Sequence, residues 1–386
     1  MNSSKCALCD VEITDTNDTK EHLIPNAIGG RKKIKRFICK TCNSISGDDW
    51  ESELAKQLNP LSLFFGISRE RGDAPSQLFE TTGGDKLKLN VDGSMDIEKP
   101  VYSEQPLESG TGVQIQIRAR SIPEAKRMLQ GVIIKYPQLD LNELLDNVKF
   151  QSSYCPDMLN FNFSFGGHEA GRSIVKSALA LAVSSGIPAE SCVEAVSYLK
   201  NEESEACFGY FYESDLIKNR PEGIPIHCVS IKGCRETQQL IGYVEYFGVQ
   251  RMVLCLSSSY EGEDLSNTYA INPITGEELN LVVELKLSNT EIREAYDYKK
   301  IPNGSVEEAF GKVISTGMKA SIEKEKDRVL NNAVKYAFEN CGAKEGEMLM
   351  PEHVNKFTGL MMEKLEPFIL SAFPSCTWEC LHAEMK

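Results

Sequence analysis

The chain of 386 residues has no excess of basic side chains and no long apolar run. It carries 42 Lys and Arg against 56 Asp and Glu, a net charge of −14, which excludes a protein that coats nucleic acid over its whole surface. No apolar stretch reaches the length that a bilayer span requires. The first residues, MNSSKCALCD, contain no apolar core of the signal-peptide kind, so a cytoplasmic protein without membrane contact is expected.

Motifs of several enzyme classes are also missing. There is no Gly-x-Ser-x-Gly segment, and no arrangement of Cys and His is typical of a nucleophile with its base. The segment GGHEAGRS at 166–173 has the skeleton of a phosphate-binding loop, but Arg172 stands where a lysine belongs, and arginine does not replace that compact charge. Hydrolysis of a nucleoside triphosphate is therefore not expected. Two interpretations stay open: backbone amides that bind an anion at a helix start, or a helix with Arg172 and Lys176 on its polar side.

Cysteine is plentiful, with 13 residues scattered along the chain. Secreted disulfide scaffolds are short and cysteine-dense, so this odd number favours free thiols and metal ligands in a reducing compartment. Two C-x-x-C pairs, Cys6 with Cys9 and Cys39 with Cys42, enclose 29 residues. Each pair presents two thiolates from one tight turn, and four thiolates complete a tetrahedral zinc site. Such a closed site is structural, and its zinc would supply folding energy to a segment too short for a large core of its own.

The residues between and after these pairs carry further signals. Residues 21–30 read EHLIPNAIGG, and residues 39–43 read CKTCN. Together with the first C-x-x-C, this combination of an acidic-His pair, a Gly-Gly and C-x-x-C-Asn resembles the zinc-stapled form of the HNH endonuclease family over residues 1–55. The resemblance implies a ββα-metal fold, in which a hairpin carries the acidic-His pair and a helix begins near the second C-x-x-C. It also implies metal-dependent hydrolysis of phosphodiester bonds in DNA, with RNA as an alternative substrate.

The resemblance assigns roles to single residues. His22 would be the general base, since a neutral imidazole accepts protons well near pH 7. Glu21 and Asn43 would offer hard oxygen ligands to Mg²⁺, with Mn²⁺ as a substitute. Glu51, eight residues after Asn43, is an additional candidate ligand. Adjacent side chains of an extended strand point to opposite faces, so residues 21 and 22 must lie at a bend or strand end to address one cation.

One position departs from the family pattern. The family's middle asparagine normally stands a few residues before the second C-x-x-C, where this chain has Ile34 and Lys35. That asparagine orients the loop that holds the base. Asn26 is the candidate substitute.

Charge is distributed unevenly along the chain. Residues 1–75 contain 11 basic and 11 acidic residues, so the remaining 31 basic and 45 acidic residues carry the whole charge of −14. Within the neutral part, residues 31–40 hold six basic residues and no acidic one. By itself this run would be a solvated turn, whereas beside a nuclease site it predicts sequence-neutral, salt-sensitive phosphate contacts. The predicted contact residues are Arg31, Lys32, Lys33, Lys35, Arg36 and Lys40.

The rest of the chain is predicted to mix helices and strands. Alternating stretches such as KLKLNV, GVQIQIRARS and MLNFNFSF predict strands, as do three segments within 224–258 and a hairpin around Thr275-Gly276. Helical spacing is typical of 121–137, 169–186, 188–200, 305–340 and 351–371. The fold class is therefore α+β, with an N-terminal ββα-metal module, a larger mixed α/β domain and a helical C-terminal part. The predicted domains are a nuclease module at 1–66, a linker at 67–77, an accessory domain at 78–300, and a helical region at 301–386 that packs on it or mediates self-association.

Three functions remain to be separated. The leading one is an Mg²⁺-dependent endonuclease whose C-terminal part senses a ligand, selects the substrate or forms a homodimer. The resemblance of the chain to zinc-stapled nucleases with accessory domains implies a role in bacterial restriction or anti-phage defence. The alternative is a non-catalytic zinc module that binds nucleic acid or a protein partner, for which His22 is dispensable. The third is an autoinhibited nuclease that a small molecule or protein switches on through the C-terminal region.

Overall fold

The structure is a computed structural model that describes residues 5–107, 112–149, 153–155, 157–344 and 346–372. Its strands are, in chain order, β1 (Glu21–His22), β2 (Lys33–Ile34), β3 (Gln77–Thr81), β4 (Lys86–Leu89), β5 (Met95–Ile97), β6 (Val101–Pro106), β7 (Val113–Arg118), β8 (Leu159–Asn160), β9 (Phe208–Tyr210), β10 (His227–Cys234), β11 (Gln239–Tyr246), β12 (Gln250–Ser257) and β13 (Leu265–Ile271). Its α-helices are α1 (Lys40–Ser46), α2 (Ser52–Phe64), α3 (Ile122–Lys135), α4 (Leu141–Asp146), α5 (His168–Ser184), α6 (Val193–Lys200), α7 (Asn289–Tyr296), α8 (Ser305–Asn340) and α9 (Pro351–Ala372). Shorter turns are the 3-10 turns Asn26–Ile28 and Ala189–Ser191 and the π-helical turn Gly47–Glu51. This content confirms the predicted mixture of α and β.

The described residues form two compact units, each interrupted along the sequence. The first unit comprises the chain up to Gln77, Asn90–Gly93 and Phe161–Lys319. The second comprises Leu78–Leu89, Ser94–Asn160 and the chain from Ala320 onward. The first unit therefore combines the predicted nuclease segment with a large part of the predicted accessory region. The boundaries drawn from the sequence at 66, 77 and 300 stay predictions.

The N-terminal segment of the first unit has the predicted ββα order. Strands β1 and β2 pair antiparallel, with Glu21 opposite Ile34 and His22 opposite Lys33. The loop between the strands contains the 3-10 turn and then Gly29, whose φ of +98° is a conformation that favours glycine. Helix α1 begins directly after Cys39 and continues through the π-helical turn into α2. The hairpin is thus followed by the helix along the chain, as the resemblance implied.

A five-stranded antiparallel sheet, in the order β13-β10-β11-β12-β9, forms the centre of the first unit. Three of its strands, β10 to β12, are those predicted within 224–258. Alternate side chains of a strand face opposite sides of a sheet. On β10 and β11, Val229 and Val244 belong to one apolar cluster, whereas Cys228 and Tyr243 belong to the cluster on the other side. The sheet is therefore covered on both faces.

One apolar core joins the N-terminal segment to this sheet through α5. The whole stretch Ala170–Ala182 of α5 is buried. Helix α2 contributes Leu54 and Leu58 to the same cluster, and the ring of Phe65 stacks on Phe247 with centroids 6.0 Å apart. Each fully buried leucine stabilises a fold by about 1.5–3 kcal/mol. The N-terminal segment, α5 and the sheet therefore bury apolar side chains in one common core, and this core stabilises all three.

The predicted hairpin around Thr275-Gly276 forms its turn but not its second strand. Gly276 has a φ of +75°, and the returning chain meets β13 in one isolated bridge between Ile271 and Glu278. Beyond this bridge the segment leaves the sheet edge, since Val283 pairs instead with Ile217. Neighbouring leucines of the same segment enter the core on the second face of the sheet. Tertiary packing therefore overrides the alternating pattern here.

The second unit contains a four-stranded sheet in the order β5-β4-β3-β8 and a separate antiparallel hairpin of β6 with β7. Strand β8 is the only strand formed within the predicted 158–165 stretch of the described chain. Helix α3 begins, as predicted, after Ser121, whose hydroxyl accepts from the Glu124 amide over 3.4 Å. Helices α8 and α9 have nearly their predicted bounds, and within this unit they meet through Phe338 and Phe357. No helix of the described ranges has both the length and the apolar character needed to cross a membrane.

Candidate active site

The four cysteines of the two C-x-x-C pairs come together at one point. The Sγ atoms of Cys6, Cys9, Cys39 and Cys42 all lie within 4.8 Å of one another, and those of Cys9 and Cys39 are 3.7 Å apart. Tetrahedral ligation with Zn–S bonds of about 2.3 Å places sulfur atoms about 3.8 Å apart. The cluster therefore fits a structural zinc. Among the described residues, no other group of three or more Cys, His, Asp or Glu side chains lies so close together.

His22 lies at the end of β1, directly opposite Lys33. Both side chains reach Glu70: His22 Nε2 is 3.5 Å from Oε1 of the carboxylate, and Lys33 Nζ is 2.5 Å from Oε2. The imidazole is half-buried, and its Nε2 makes no hydrogen bond within the described residues. Burial lowers the pKa of His22 below its usual value, and the nearby carboxylate of Glu70 offsets only part of this effect. The ring is therefore neutral near pH 7, which is the form that a general base needs.

Glu21 has a different set of partners from His22. Its side chain is only 4% exposed, and its carboxylate accepts from the ammonium group of Lys176 in α5. Glu51, at the end of the π-helical turn, accepts from the same ammonium group. The Oγ of Ser46 accepts a third hydrogen bond from Lys176 Nζ over 3.2 Å. Two carboxylates and one hydroxyl thus surround a single buried lysine, and the structure does not bring Glu21 and His22 onto a shared partner.

Burial shifts the pKa values of Glu21 and Lys176 in opposite directions. Burial raises the pKa of Glu21 above its ordinary value, although the ammonium group of Lys176 opposes the shift. For Lys176, burial alone would lower the pKa, but the carboxylates of Glu51 and Glu21 outweigh it and raise the pKa above its usual value. Lysine therefore remains the cationic member of the cluster.

Two local features place Glu51 and Lys176 together. The π-helical turn Gly47–Glu51 changes the phase of the helix after α1, and such turns occur frequently at functional sites. Helix α5 contacts this turn along its buried stretch, and the guanidinium of Arg172 lies 5.3 Å from the centroid of the Trp50 ring. Arg172 and Lys176 are 5% and 1% exposed. The prediction that they lie on a polar helix face is therefore wrong, because α5 is enclosed between the N-terminal segment and the sheet.

Residues 6–59 match the family of HNH endonucleases. This segment is an HNH endonuclease domain. The match confirms the resemblance to this family, which rests on the two cysteine pairs, the acidic-His pair and the final asparagine. It ends before Glu70 and long before Lys176, so both partners of the site come from outside the matched segment. No curated protein and no solved structure matches this chain.

HNH nucleases generally use a divalent metal, and the oxygen donors of this domain can be compared with that requirement. Glu21 and Glu51 have the hard carboxylate oxygens that Mg²⁺ prefers, but both already accept from the ammonium group of Lys176. The side-chain amide of Asn43 makes no hydrogen bond in the part of the chain that the structure describes, while its backbone carbonyl accepts from Ser46 Oγ over 3.2 Å. The donor chemistry suits a divalent cation, whereas the arrangement seen here suits an ammonium group.

Asn26, the candidate substitute for the family's middle asparagine, braces the loop that follows His22 in the HNH domain. Its Nδ2 donates to the carbonyl oxygen of Gly30 over 3.2 Å, and its Oδ1 accepts from the backbone amide of Glu70 over 3.1 Å. It therefore connects the hairpin loop to the backbone that presents Glu70 to the imidazole. Ile34, at one of the two positions where the family's asparagine is expected, is buried.

The basic run covers the second half of the hairpin and the start of α1 in the HNH domain. Its exposed members are Lys32, Lys33, Lys35, Arg36 and Lys40. Arg31 is half-buried and donates to the carbonyl oxygen of Ser68 over 3.0 Å. Lys33 is held by Glu70, and Lys32 Nζ lies 4.9 Å from the centroid of the Tyr269 ring. The run is thus an exposed cationic edge beside His22, with part of its charge already paired.

Sequence reasoning missed two partners of the HNH domain. Glu70 falls in the segment predicted as a linker, and no motif connects it to His22. Lys176 stands in the stretch IVKSALALAV, in which eight of the ten residues are apolar. A lysine in a helix that is apolar all round is usually buried and paired, so this stretch contained a signal for an internal ion pair. No motif indicates which carboxylates pair with this lysine.

Proposed function

We propose that the protein is a metal-dependent endonuclease that hydrolyses phosphodiester bonds in DNA, with His22 as its general base. The match of residues 6–59 to HNH endonucleases carries this proposal, together with the position of His22 in a hairpin next to the four-cysteine cluster. A zinc module that only binds a partner requires neither an acidic-His pair nor an asparagine after its second cysteine pair.

In the proposed reaction, His22 accepts a proton from the attacking water. General base catalysis by a positioned side chain contributes about 10²–10⁴-fold to a rate. Glu70, from outside the matched segment, places a carboxylate oxygen 3.5 Å from the imidazole Nε2, so its negative charge favours this orientation of the ring. Glu21 and Asn43, with Glu51 as a further candidate, would hold Mg²⁺ or Mn²⁺, which when bound neutralises charge on the phosphate and the leaving oxygen.

The proposed substrate is DNA, with RNA as the alternative to test. The exposed part of the basic run lies on the same hairpin as His22, so it can contact the backbone next to the scissile phosphate. A single site of this kind cuts one strand at a time, so cleavage of both strands would call for two copies of the chain. For residues outside the HNH domain we propose a sensing, specificity or dimerisation role, in the setting of bacterial restriction or anti-phage defence.

A plasmid-nicking assay tests the proposal. Supercoiled plasmid is incubated with the zinc-loaded protein without added metal, with Mg²⁺ and with Mn²⁺. The His22→Ala variant should lose at least about 100-fold in nicking rate while keeping its zinc, because the base is removed but the four thiolates remain. His353→Ala is the matched control, since this histidine lies in α9, far along the chain from the HNH domain. Equal nicking by His22→Ala and the parent protein would refute the proposed mechanism.

One observation favours the alternative function. The ion pairs of Lys176 with Glu21 and Glu51 occupy the carboxylates that a nuclease would offer to its cation. A non-catalytic zinc module that binds nucleic acid or a protein would keep these ion pairs permanently. Under this alternative, DNA binding measured by fluorescence anisotropy is the same with and without Mg²⁺, and nicking is absent for the parent protein under every metal condition.

A further inference from the structure

The ammonium group of Lys176 has a complete set of partners. Lysine offers three hydrogen-bond donors and no acceptor. Here the three acceptors are the carboxylates of Glu21 and Glu51 and the hydroxyl of Ser46, and the lysine side chain is 1% exposed. Such a site is built for a cation, unlike the exposed ion pairs on a protein surface.

The cation that fills this site is supplied by a distant part of the chain. Lys176 lies in α5, which is not in the segment 6–59 that matches HNH endonucleases. The position of α5 is fixed by its buried stretch and by the hydroxyl of Tyr246, which donates to Ser177 Oγ over 2.9 Å. The lysine therefore reaches the HNH domain from a rigid support, and only its flexible side chain can withdraw without displacing the helix.

The same two carboxylates are the acidic candidate ligands of a divalent cation. A divalent ion bound to Glu21 and Glu51 would lie next to the ammonium group, and two positive charges at such a distance repel strongly when the site is buried. The two cations must therefore compete for the carboxylates. Resting on the proposed nuclease function, we propose that Lys176 is a built-in competitor of the catalytic cation, so that the region outside the HNH domain lowers the metal occupancy of its active site.

The contact has the character of an autoinhibitory device. While Lys176 donates to Glu21 and Glu51, its ammonium group occupies the place between the two carboxylates and offsets part of their negative charge, so the HNH domain binds a divalent ion weakly. When the lysine side chain withdraws, the two carboxylates are left together without a counter-charge, and they then attract a divalent ion. The control is exerted on cation binding and not on the imidazole of His22, which has its own partner in Glu70.

The test measures cation affinity directly. Mn²⁺ is the probe, because its electron paramagnetic resonance signal reports the free ion, and the full zinc-loaded chain is titrated without nucleic acid. The Lys176→Met variant should bind Mn²⁺ about tenfold or more tightly than the parent protein, because the repelling charge is gone. The same gain should vanish in the double variant Lys176→Met with Glu21→Gln. At limiting Mn²⁺, Lys176→Met should also nick plasmid faster than the parent protein.

Lys300→Met is the matched control. Lys300 is also a poorly exposed lysine between two glutamates, with Nζ 2.8 Å from Glu213 Oε2 and 3.1 Å from Glu294 Oε2. Its replacement should leave the Mn²⁺ affinity unchanged. If Lys176→Met fails to fold, Ser46→Ala decides the question, because it removes one acceptor of the ammonium group without touching a carboxylate and should tighten Mn²⁺ binding a few-fold.

The inference is overturned if Lys176→Met binds Mn²⁺ no more tightly than the parent protein. Where Lys176→Met does not fold, the same result for Ser46→Ala overturns it. The cluster would then be a structural ion pair. A gain that persists in the double variant would overturn the inference as well, since the metal would then bind elsewhere. Failure of the nuclease proposal gives a different result: His22→Ala would nick like the parent protein, while the shift in Mn²⁺ affinity would remain.

Discussion

The imidazole of His227 joins strand β10 to the HNH domain through the carbonyl oxygen of Ile28. The distance from Nε2 to this oxygen is 2.7 Å, and the backbone amide of Phe247 donates to Nδ1 over 3.0 Å. Because Nδ1 accepts, Nε2 carries the proton and donates, so the ring is neutral with both nitrogens satisfied. His227 is fully buried, and burial lowers its pKa to about 4.

This contact predicts a loss of stability in acid. The folded protein keeps His227 neutral down to about pH 4, whereas the unfolded chain takes up the proton near pH 6.5. The contribution of the neutral ring is therefore present above pH 6.5 and is lost as the pH falls toward 4, by up to about 3 kcal/mol. Urea unfolding at several pH values checks this, with His227→Gln as the reference, because glutamine does not titrate. The stability difference between the two proteins should shrink in acid, and a constant difference would contradict the prediction.

Zinc removal is predicted to unfold the HNH domain. Four thiolates gathered within 4.8 Å repel one another without a cation, and structural zinc binds zinc-finger peptides with about 10–16 kcal/mol near pH 7. Cys42→Ser should lose stoichiometric zinc and lower the thermal unfolding midpoint. Cys234→Ser is the control, because this half-buried cysteine lies in β10, outside the cluster. Retention of zinc and of the midpoint by Cys42→Ser would show that Cys42 is not a zinc ligand on which the fold depends.

Gly30 is predicted to tolerate no side chain. A Cβ atom built at this position would lie 1.7 Å from the carbonyl oxygen of Ile24. Gly30→Ala must therefore push apart the loop between β1 and β2, at a cost of about 1–3 kcal/mol, the usual range for overpacking. Gly47→Ala is the control, since nothing lies within 4 Å of its Cβ position. Urea unfolding measures both, and equal stability of the two variants would show that the loop can relax.

The basic run predicts a salt-dependent affinity for DNA. Lys35 and Lys40 are exposed on the hairpin and at the start of α1. Each phosphate contact that is removed should lower the slope of log affinity against log salt by about 1. Lys35→Ala with Lys40→Ala should therefore reduce the slope by about 2, equally for unrelated sequences. Lys286→Ala, which removes a charge far along the chain from the hairpin, should leave it unchanged. A slope that the double variant does not alter would show that DNA binds elsewhere.

The parts of this structure that depend on neighbouring residues were predictable. The two residues within each C-x-x-C pair and the helix after Cys39 lie close together along the chain, so their spacing determines their geometry. The contacts of Lys176 with Glu21 and Glu51 bridge 155 and 125 residues, and depend on how α5 packs. Periodicity indicates that α5 is a helix, but only the assembled core shows which of its faces are enclosed.

Leu54, Leu58 and Phe65 share one apolar cluster with α5 and the central sheet, so residues 1–66 are not expected to fold as a free-standing module. A chimera that joined residues 1–66 to another scaffold would present a bare apolar face to water and leave Glu21 and Glu51 without their ammonium partner. Recombination during evolution would meet the same obstacle. The HNH domain, α5 and the five-stranded sheet are therefore expected to be exchanged together, as one unit.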